Sequence, residues 1–244
     1  MKQDLTHISL CTGIGGFDEA AETVGFTNLA NCEIDATCRL YLNNRFPNTK
    51  QYTNVINDPP SEHATVLSFG FPCQDISNCG KGAGIFGERS KIFFNCMDVA
   101  RAVKPKYIVI ENSTTLLKRG MGNVLSQISK QGYDAEWVCL SGAQFGYPQQ
   151  RKRLFIVAHT MRQRCRNAIL QPPGTFAISQ PWAPTETFVH VSTSRANGYA
   201  NITAICRGDV VPYNNFWLHA IGNAVMPVCA EHIFNCIKFH HQTK

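Results

Sequence analysis

The most constrained reactive side chain in the sequence is Cys73, in Ser68-Phe69-Gly70-Phe71-Pro72-Cys73-Gln74, with Asp75-Ile76-Ser77 behind it. The apolar run 64–67 ahead of it has the length and β-branched content of a buried strand. Gly70 and Pro72 then break the regular backbone and present one thiol at the strand's carboxyl end, where open α/β sheets bind ligands. Pro72 fixes its own φ and restricts Phe71, so Cys73 sits on a stiff loop. A thiol held this way beside the polar Gln74 and Ser77 suits a nucleophile. A buried structural cysteine is the other reading, since the chain has 11 cysteines and free Cys is commonly buried.

Three further groups have types and spacing that fit chemistry. The apolar strand 107–110 ends in Glu111-Asn112. A carboxyl there, partly buried, would titrate high and serve as an acid; a helix-capping carboxylate is the alternative. After Gly146-Tyr147-Pro148 come Gln149-Gln150-Arg151-Lys152-Arg153. If extended, Gln149, Arg151 and Arg153 share one face and form a fork suited to a phosphate or base edge; a solvated basic turn is the alternative. Finally, the short strand 7–10 runs into Cys11-Thr12-Gly13-Ile14-Gly15-Gly16-Phe17, and a helical pattern follows over 18–24. Strand, glycine turn and helix start make a nucleotide-type cradle with free N–H groups. Its G-x-G-G spacing is not the dinucleotide fingerprint, and a plain tight turn fits as well. Glu33, at the end of a second strand over 27–32, stands about 20 positions past that turn, where an acid often accepts hydrogen bonds from a ribose. A carboxylate supporting a helix dipole reads equally well.

The elements that must position these groups alternate between strand and helix. Helices are expected over 35–45, 90–103, 122–130 and 228–239, and further strands over 135–140 and 154–158. Residues 54–60 read as a loop, and Gly80-Lys81-Gly82-Ala83-Gly84 as a lid. From His159 the texture changes: Arg162, Arg164 and Arg166 alternate, and prolines at 172, 173, 181 and 184 interrupt any helix. This stretch reads as a small irregular domain. The chain is therefore α/β. Its 244 residues, 44% hydrophobic and 16% charged, suffice for a full core. No apolar run reaches the length of a membrane span, and the start is too polar for a secretory signal. Scattered cysteines, odd in number and without a C-x-x-C pair, indicate reduced thiols in a cytosol and neither a disulfide frame nor a metal site. The net charge of +6 permits a nucleic-acid partner.

Taken together, these stretches resemble the DNA (cytosine-5)-methyltransferases, the Dcm-like enzymes of bacteria and phages. Residues 9–17 resemble that family's S-adenosylmethionine loop, and Gly70-Phe71-Pro72-Cys73-Gln74 its Pro-Cys motif. Glu111-Asn112 resembles its Glu-Asn-Val motif, with Ser113 in place of Val. Gln149 to Arg153 resembles its Gln-x-Arg-x-Arg motif, and Gly222-Asn223-Ala224-Val225 its last motif, which packs back beside the cofactor. Cys11 stands where the family usually has Phe, and Asn54 where it usually has an Asp against the adenine amine.

The resemblance implies a Rossmann-like, S-adenosylmethionine-dependent methyltransferase domain built from 1–159 and 218–244. It implies a small target-recognition domain over 160–217, with double-stranded DNA in the cleft between them. Catalytic roles fall on Cys73, Glu111, Gln149, Arg151 and Arg153. Cofactor contacts fall on Cys11 to Phe17, Glu33, Ile34, Asn54, Val55, Gly70, Pro72, Asn223, Ala224 and Val225. DNA contacts fall on Gln74, Ser77, Arg162, Arg164, Arg166 and Arg207. No metal is implied. The implied enzyme is a monomer in the cytoplasm of a bacterium or a phage host, with any cognate restriction endonuclease acting separately. An RNA-directed cytosine-5 methyltransferase and a non-catalytic DNA-binding relative are the rival readings.

Overall fold

The computed structural model describes residues 5–72, 92–160, 168–173, 175–176 and 224–243, together with the backbone of four short strands between 191 and 210. Cys73, Gln74, Ser77, the glycine-rich 80–84 segment, Arg162, Arg164, Arg166, Arg207 and Asn223 lie outside the described residues.

The main sheet has seven strands: β1 (Thr6–Leu10), β2 (Thr27–Cys32), β3 (Lys50–Tyr52), β4 (Val66–Gly70), β5 (Tyr107–Ser113), β6 (Tyr133–Leu140) and β7 (Arg153–Thr160). Their order is β3-β2-β1-β4-β5-β7-β6. Strands β1 to β5 are parallel to their neighbours, and β7 runs antiparallel to both β5 and β6. The sheet is covered on both sides, so its central strands are buried on both faces, the polar His7, Ser9 and Ser68 included. Helices α3 (Ile92–Val103) and α4 (Met121–Lys130) pack on one face against Ile8, Leu67, Phe69, Ile108 and Ile110. On the other face lie α1 (Gly16–Val24) and the C-terminal helix α5 (Pro227–Gln242), against Val66, Val109, Phe155 and Val157. Helix α2 (Ala36–Arg45) follows β2, its first turn capped by Asp35, whose Oδ1 accepts from the N–H groups of Thr37 and Cys38. Such a cap satisfies donors that the helix itself leaves unpaired.

The expected helices and strands are present, with three differences. Strand β4 continues through Ser68, Phe69 and Gly70, where a break was expected. Each of these pairs with β5, and Ser68 and Phe69 pair also with β1; Gly70 keeps the strand through its pairing with Glu111 alone. Strand β5 likewise runs on through Glu111, Asn112 and Ser113, paired with β7. Strand β3 is not among the expected elements; three residues at a sheet edge carry too little pattern to stand out. Beyond the sheet, residues 168–171 dock on β6 and α5. Ile169 is buried, the N–H groups of Ile169 and Leu170 donate to Glu136 at 2.9 and 3.1 Å, and His232 Nε2 donates to the carbonyl of Gln171 at 2.9 Å. The remaining described strands form two separate two-stranded antiparallel ribbons, Val191–Ser192 with Asn201–Ile202 and Ile205–Cys206 with Asp209–Val210.

Candidate active site

Register brings the singled-out groups to one edge of the sheet. Leu10 pairs with Phe69 and with Cys32, Cys32 with Tyr52, Gly70 with Glu111, and Ser113 with Arg153. The carboxyl ends of β1 to β5 therefore meet the amino end of antiparallel β7 on that edge. The glycine loop, Glu33, Asn54, the chain entering Pro72-Cys73, Glu111 and the basic turn all start there.

The glycine loop is held from below. Ser9 Oγ donates to the buried Asp18 carboxylate at 3.0 Å and lies 2.9 Å from Thr12 Oγ1. The Thr12 hydroxyl in turn donates to the Cys32 carbonyl and accepts from the Cys32 N–H, both at 3.2 Å. Burial raises the Asp18 carboxyl to about 7, against the pull of the Ser9 hydrogen bond. Above this network Cys11, Gly13 and Gly15 adopt positive φ, a backbone that glycine takes at no steric cost. Glu33 is buried at the rim, and its two oxygens accept from the N–H groups of Gly13 at 2.6 Å and Asp35 at 2.8 Å. Each oxygen keeps a second lone pair. Ile34 and Ile56 are 72% and 58% exposed at the same edge, an apolar cost that a planar ligand between them would relieve.

Some expected cofactor contacts are placed otherwise. The Phe17 ring turns into the core, edge-on to Phe155 and Phe234. Asn54 turns its side-chain oxygen into its own turn, accepting from the N–H groups of Ile56 at 2.8 Å and Asn57 at 3.4 Å. Val55 is buried. Val225 sits between the loop and the cysteine strand. A Cβ on Gly16 would come 2.3 Å from the Val225 carbonyl oxygen, and one on Gly70 would lie 4.0 Å from a Val225 methyl.

The acid end of the site is built on β5 and β7. Glu111 is 7% exposed, and its Oε1 lies 2.9 Å from Arg153 Nε. A Cβ on Gly70 would approach its Oε2 to 3.0 Å, so the carboxyl lies against the backbone that leads into Cys73. Burial pushes the Glu111 carboxyl up to about 8, with the Arg151 charge pulling the other way, as the adjacent Arg153 also does. Arg153, the first residue of β7, reaches the Glu111 carboxyl, and the Arg151 charge acts on the same carboxyl. Gln149 and Arg151 are exposed.

One positioning contact was not legible from the sequence. Asn112 Nδ2 donates to the buried carbonyl of Phe71 at 3.0 Å, while its Oδ1 accepts from the Ser113 N–H. The Phe71 ring packs on Phe93 at 5.1 Å. The backbone one residue before Pro72 is therefore tied to β5 by a hydrogen bond and to α3 by an aromatic pair. Asn112 was visible as a motif residue, but its partner is 41 positions away.

The described residues contain no group of three or more side chains able to hold a metal ion, and none of their helices is long and apolar enough to cross a membrane.

The chain is similar to known proteins. The type II methyltransferase M.NgoBI of Neisseria gonorrhoeae is 33% identical over 156 residues, 62% of this chain and 49% of that protein. M2.BsuMI of Bacillus subtilis is 33% identical over 161 residues, 62% of this chain and 41% of that protein. The chain thus spans about half or less of the length of these curated relatives. Among solved structures, a mutant DNMT2 of Spodoptera frugiperda has a TM-score of 0.56 at 18% identity, over 67% of this chain and 52% of that one. The Dnmt2 methyltransferase of S. pombe has a TM-score of 0.52 at 21% identity, over 64% and 51%; at such identities the likeness is one of fold, a Rossmann-like α/β methyltransferase. The family model for C-5 cytosine-specific DNA methylases matches residues 5–200, most of the 244, and the chain belongs to that family.

Proposed function

We propose that this chain is a DNA (cytosine-5)-methyltransferase that flips its target cytosine out of the duplex, adds the Cys73 thiolate to C6 and methylates C5. The observation that carries this reading is the buried, high-titrating Glu111, which lies against the strand entering Cys73 and beside Arg153. Cytosine C5 is a poor nucleophile until a group adds at C6. Addition places negative charge on the ring at N3, and a carboxylic acid that keeps its proton near neutral pH would neutralise it. Arg153 would hold the Glu111 carboxyl in its rotamer, and Asn112 would hold the Phe71 carbonyl so that Cys73 meets C6. Gln149 and Arg151 would take the flipped nucleotide and its phosphate. Flipping costs a few kcal/mol of unstacking, which these contacts and the 80–84 lid would offset.

The residues at the edge fit S-adenosylmethionine. The backbone of the 11–17 loop at the start of α1 and the spare lone pairs of Glu33 suit its carboxylate and ribose. Ile34 and Ile56 would flank the adenine, with Asn54 reaching its amine once its oxygen leaves the 54–57 turn, while Gly70, Pro72 and the segment with Asn223, Ala224 and Val225 would close the far side. Bound there, the cofactor supplies an electrophilic methyl group. The same reading gives residues 1–159 with 218–244 the catalytic role and 160–217 target recognition, with Gln74, Ser77, Arg162, Arg164, Arg166 and Arg207 toward double-stranded DNA. It places a monomeric enzyme in a bacterial cytoplasm, with any cognate restriction endonuclease acting separately.

The test is covalent trapping. With S-adenosylmethionine, a duplex carrying 5-fluorocytosine at the target should become attached to Cys73, because fluorine at C5 cannot leave as a cation and elimination is blocked. The bond should survive denaturing electrophoresis and map to Cys73. Trapping of fluorinated RNA in preference to DNA would reassign the substrate. No adduct, under conditions in which unmodified DNA is methylated, would overturn the covalent route.

A further inference from the structure

Cys11 is the first residue after β1 and takes a left-handed backbone, with φ 50°. It is only partly buried, and its Sγ lies 3.9 Å from Sγ of Cys96 in the middle of α3. Cys96 is fully buried. The Cys32 thiol is close enough to Cys11 to feel its charge. Among the described residues all the cysteines are free, and none of these three thiols acts in the methyl transfer above, although Cys11 belongs to the cofactor loop. A partly exposed cysteine and a buried one, with sulfurs 3.9 Å apart and 85 positions apart in the chain, form a thiol pair that a shift of the loop would join.

We propose that Cys11 and Cys96 form a reversible disulfide that releases the cofactor, an inference that rests on reading the 11–17 loop as the cofactor loop. Hydrogen peroxide serves as oxidant. The Cys11 thiolate attacks one peroxide oxygen, the O–O bond breaks, and the departing hydroxide takes a proton to become water. This leaves a sulfenic acid on Cys11. Cys96 gives up its proton and its sulfur attacks that of Cys11; the S–O bond breaks and a second water leaves. Two thiols are oxidised and one peroxide is reduced to two waters. The neighbouring Cys11 thiol and burial raise Cys96 well above the usual range, so the second step quickens with pH.

The S–S bond is about 2.05 Å long, so the two sulfurs must close most of their present separation. Cys96 is locked in a packed helix, and the movement falls on the loop. That draws residues 11–13 toward α3 and off the position in which the Gly13 N–H meets Glu33. A dithiol reverses the step by exchange.

The experiment uses full-length protein carrying Cys73→Ser, so that oxidation of the nucleophile does not enter. After peroxide and alkylation, peptide mass mapping should find Cys11 and Cys96 joined with the loss of two hydrogens. Affinity for S-adenosylmethionine, read by equilibrium dialysis, should fall at least about tenfold and return with dithiothreitol. Cys96→Ala should bind the cofactor as before and keep its affinity through peroxide. Should that variant fail to fold, Cys96→Ser serves, and the cross-link map of the parent protein decides alone. Cys11 and Cys96 left unlinked by peroxide, or linked with unchanged affinity, would overturn the proposal. A reduced protein that binds no S-adenosylmethionine would instead overturn the cofactor reading, while the map still decides the pairing.

Discussion

Arg153 Nε stands 2.9 Å from Glu111 Oε1, with both side chains almost wholly withdrawn from water. The two reach each other only because β7 is antiparallel to β5, so that the first residue of one strand lies beside the last residues of the other. A carboxyl raised to about 8 beside a fixed guanidinium is a proton donor that can give up its proton without leaving a charge unpaired.

Glu111→Gln keeps the shape of that side chain and removes its titration. Methyl transfer should fall by roughly 100- to 10,000-fold, while S-adenosylmethionine binding stays within a few-fold of the parent. Radiolabelled methyl transfer and equilibrium dialysis measure the two. Retention of more than a tenth of the parent turnover would remove Glu111 from the acid's role.

Asn112→Ala leaves the buried Phe71 carbonyl without its donor. The loss should lower stability by roughly 1–3 kcal/mol in urea unfolding. It should also lower the maximal rate more than it alters cofactor affinity, because the displaced backbone carries Cys73. If the cofactor affinity drops and the rate does not, the hydrogen bond serves the other half of the site.

Gly16 and Gly122 make a paired test of packing. A Cβ at Gly16 would press on the Val225 carbonyl, which is backbone and cannot swing aside, whereas one at Gly122 in α4 meets nothing within 4 Å. Gly16→Ala should cost on the order of 1–3 kcal/mol and weaken cofactor binding. Gly122→Ala should be neutral or stabilise by up to about 1 kcal/mol. Thermal unfolding of both variants decides whether the 224–226 segment is seated against the loop.

Asp18 sets a pH dependence. Its carboxyl is raised from 3.8 to about 7 by burial, so the folded protein holds a proton there that the unfolded chain releases. This contribution is fully present below about pH 4 and is lost as pH rises toward 7, by up to about 1.4 kcal/mol per pH unit inside that window. Asp18→Asn should flatten the slope of unfolding free energy between pH 5 and 7. Glu111, raised to about 8, adds a slope of the same sign that persists above pH 7. An unchanged slope in Asp18→Asn would show that this carboxyl titrates normally.

The local pattern of the sequence already determined much of this protein. The apolar runs before Pro72 and Glu111 announce buried strands, because a sheet covered on both faces leaves little polar side to alternate; the more polar stretches before Cys11 and Glu33 are strands by their place in the strand-turn-helix order. The G-x-G-G turn, the Pro-Cys pair and the Gln-x-Arg-x-Arg run carry their chemistry in residue type and spacing, and their order along the chain is that of the family. What the tertiary structure alone decided is which of these groups meet. The inward turn of Arg153 onto Glu111 depends on the strand order β5-β7-β6 and on the direction of β7. The Asn112 bond to Phe71 depends on the β4–β5 register, and the seat of Val225 between Gly16 and Gly70 on where α5 returns. Asn54 stood out as a candidate for the adenine amine, whereas in the fold its side-chain oxygen accepts from the N–H groups of Ile56 and Asn57 two and three residues on. Pairing between residues 41, 85 or more than 200 positions apart leaves no trace in periodicity. It is set by the register and packing of the folded sheet, and in a single chain those become visible only in three dimensions.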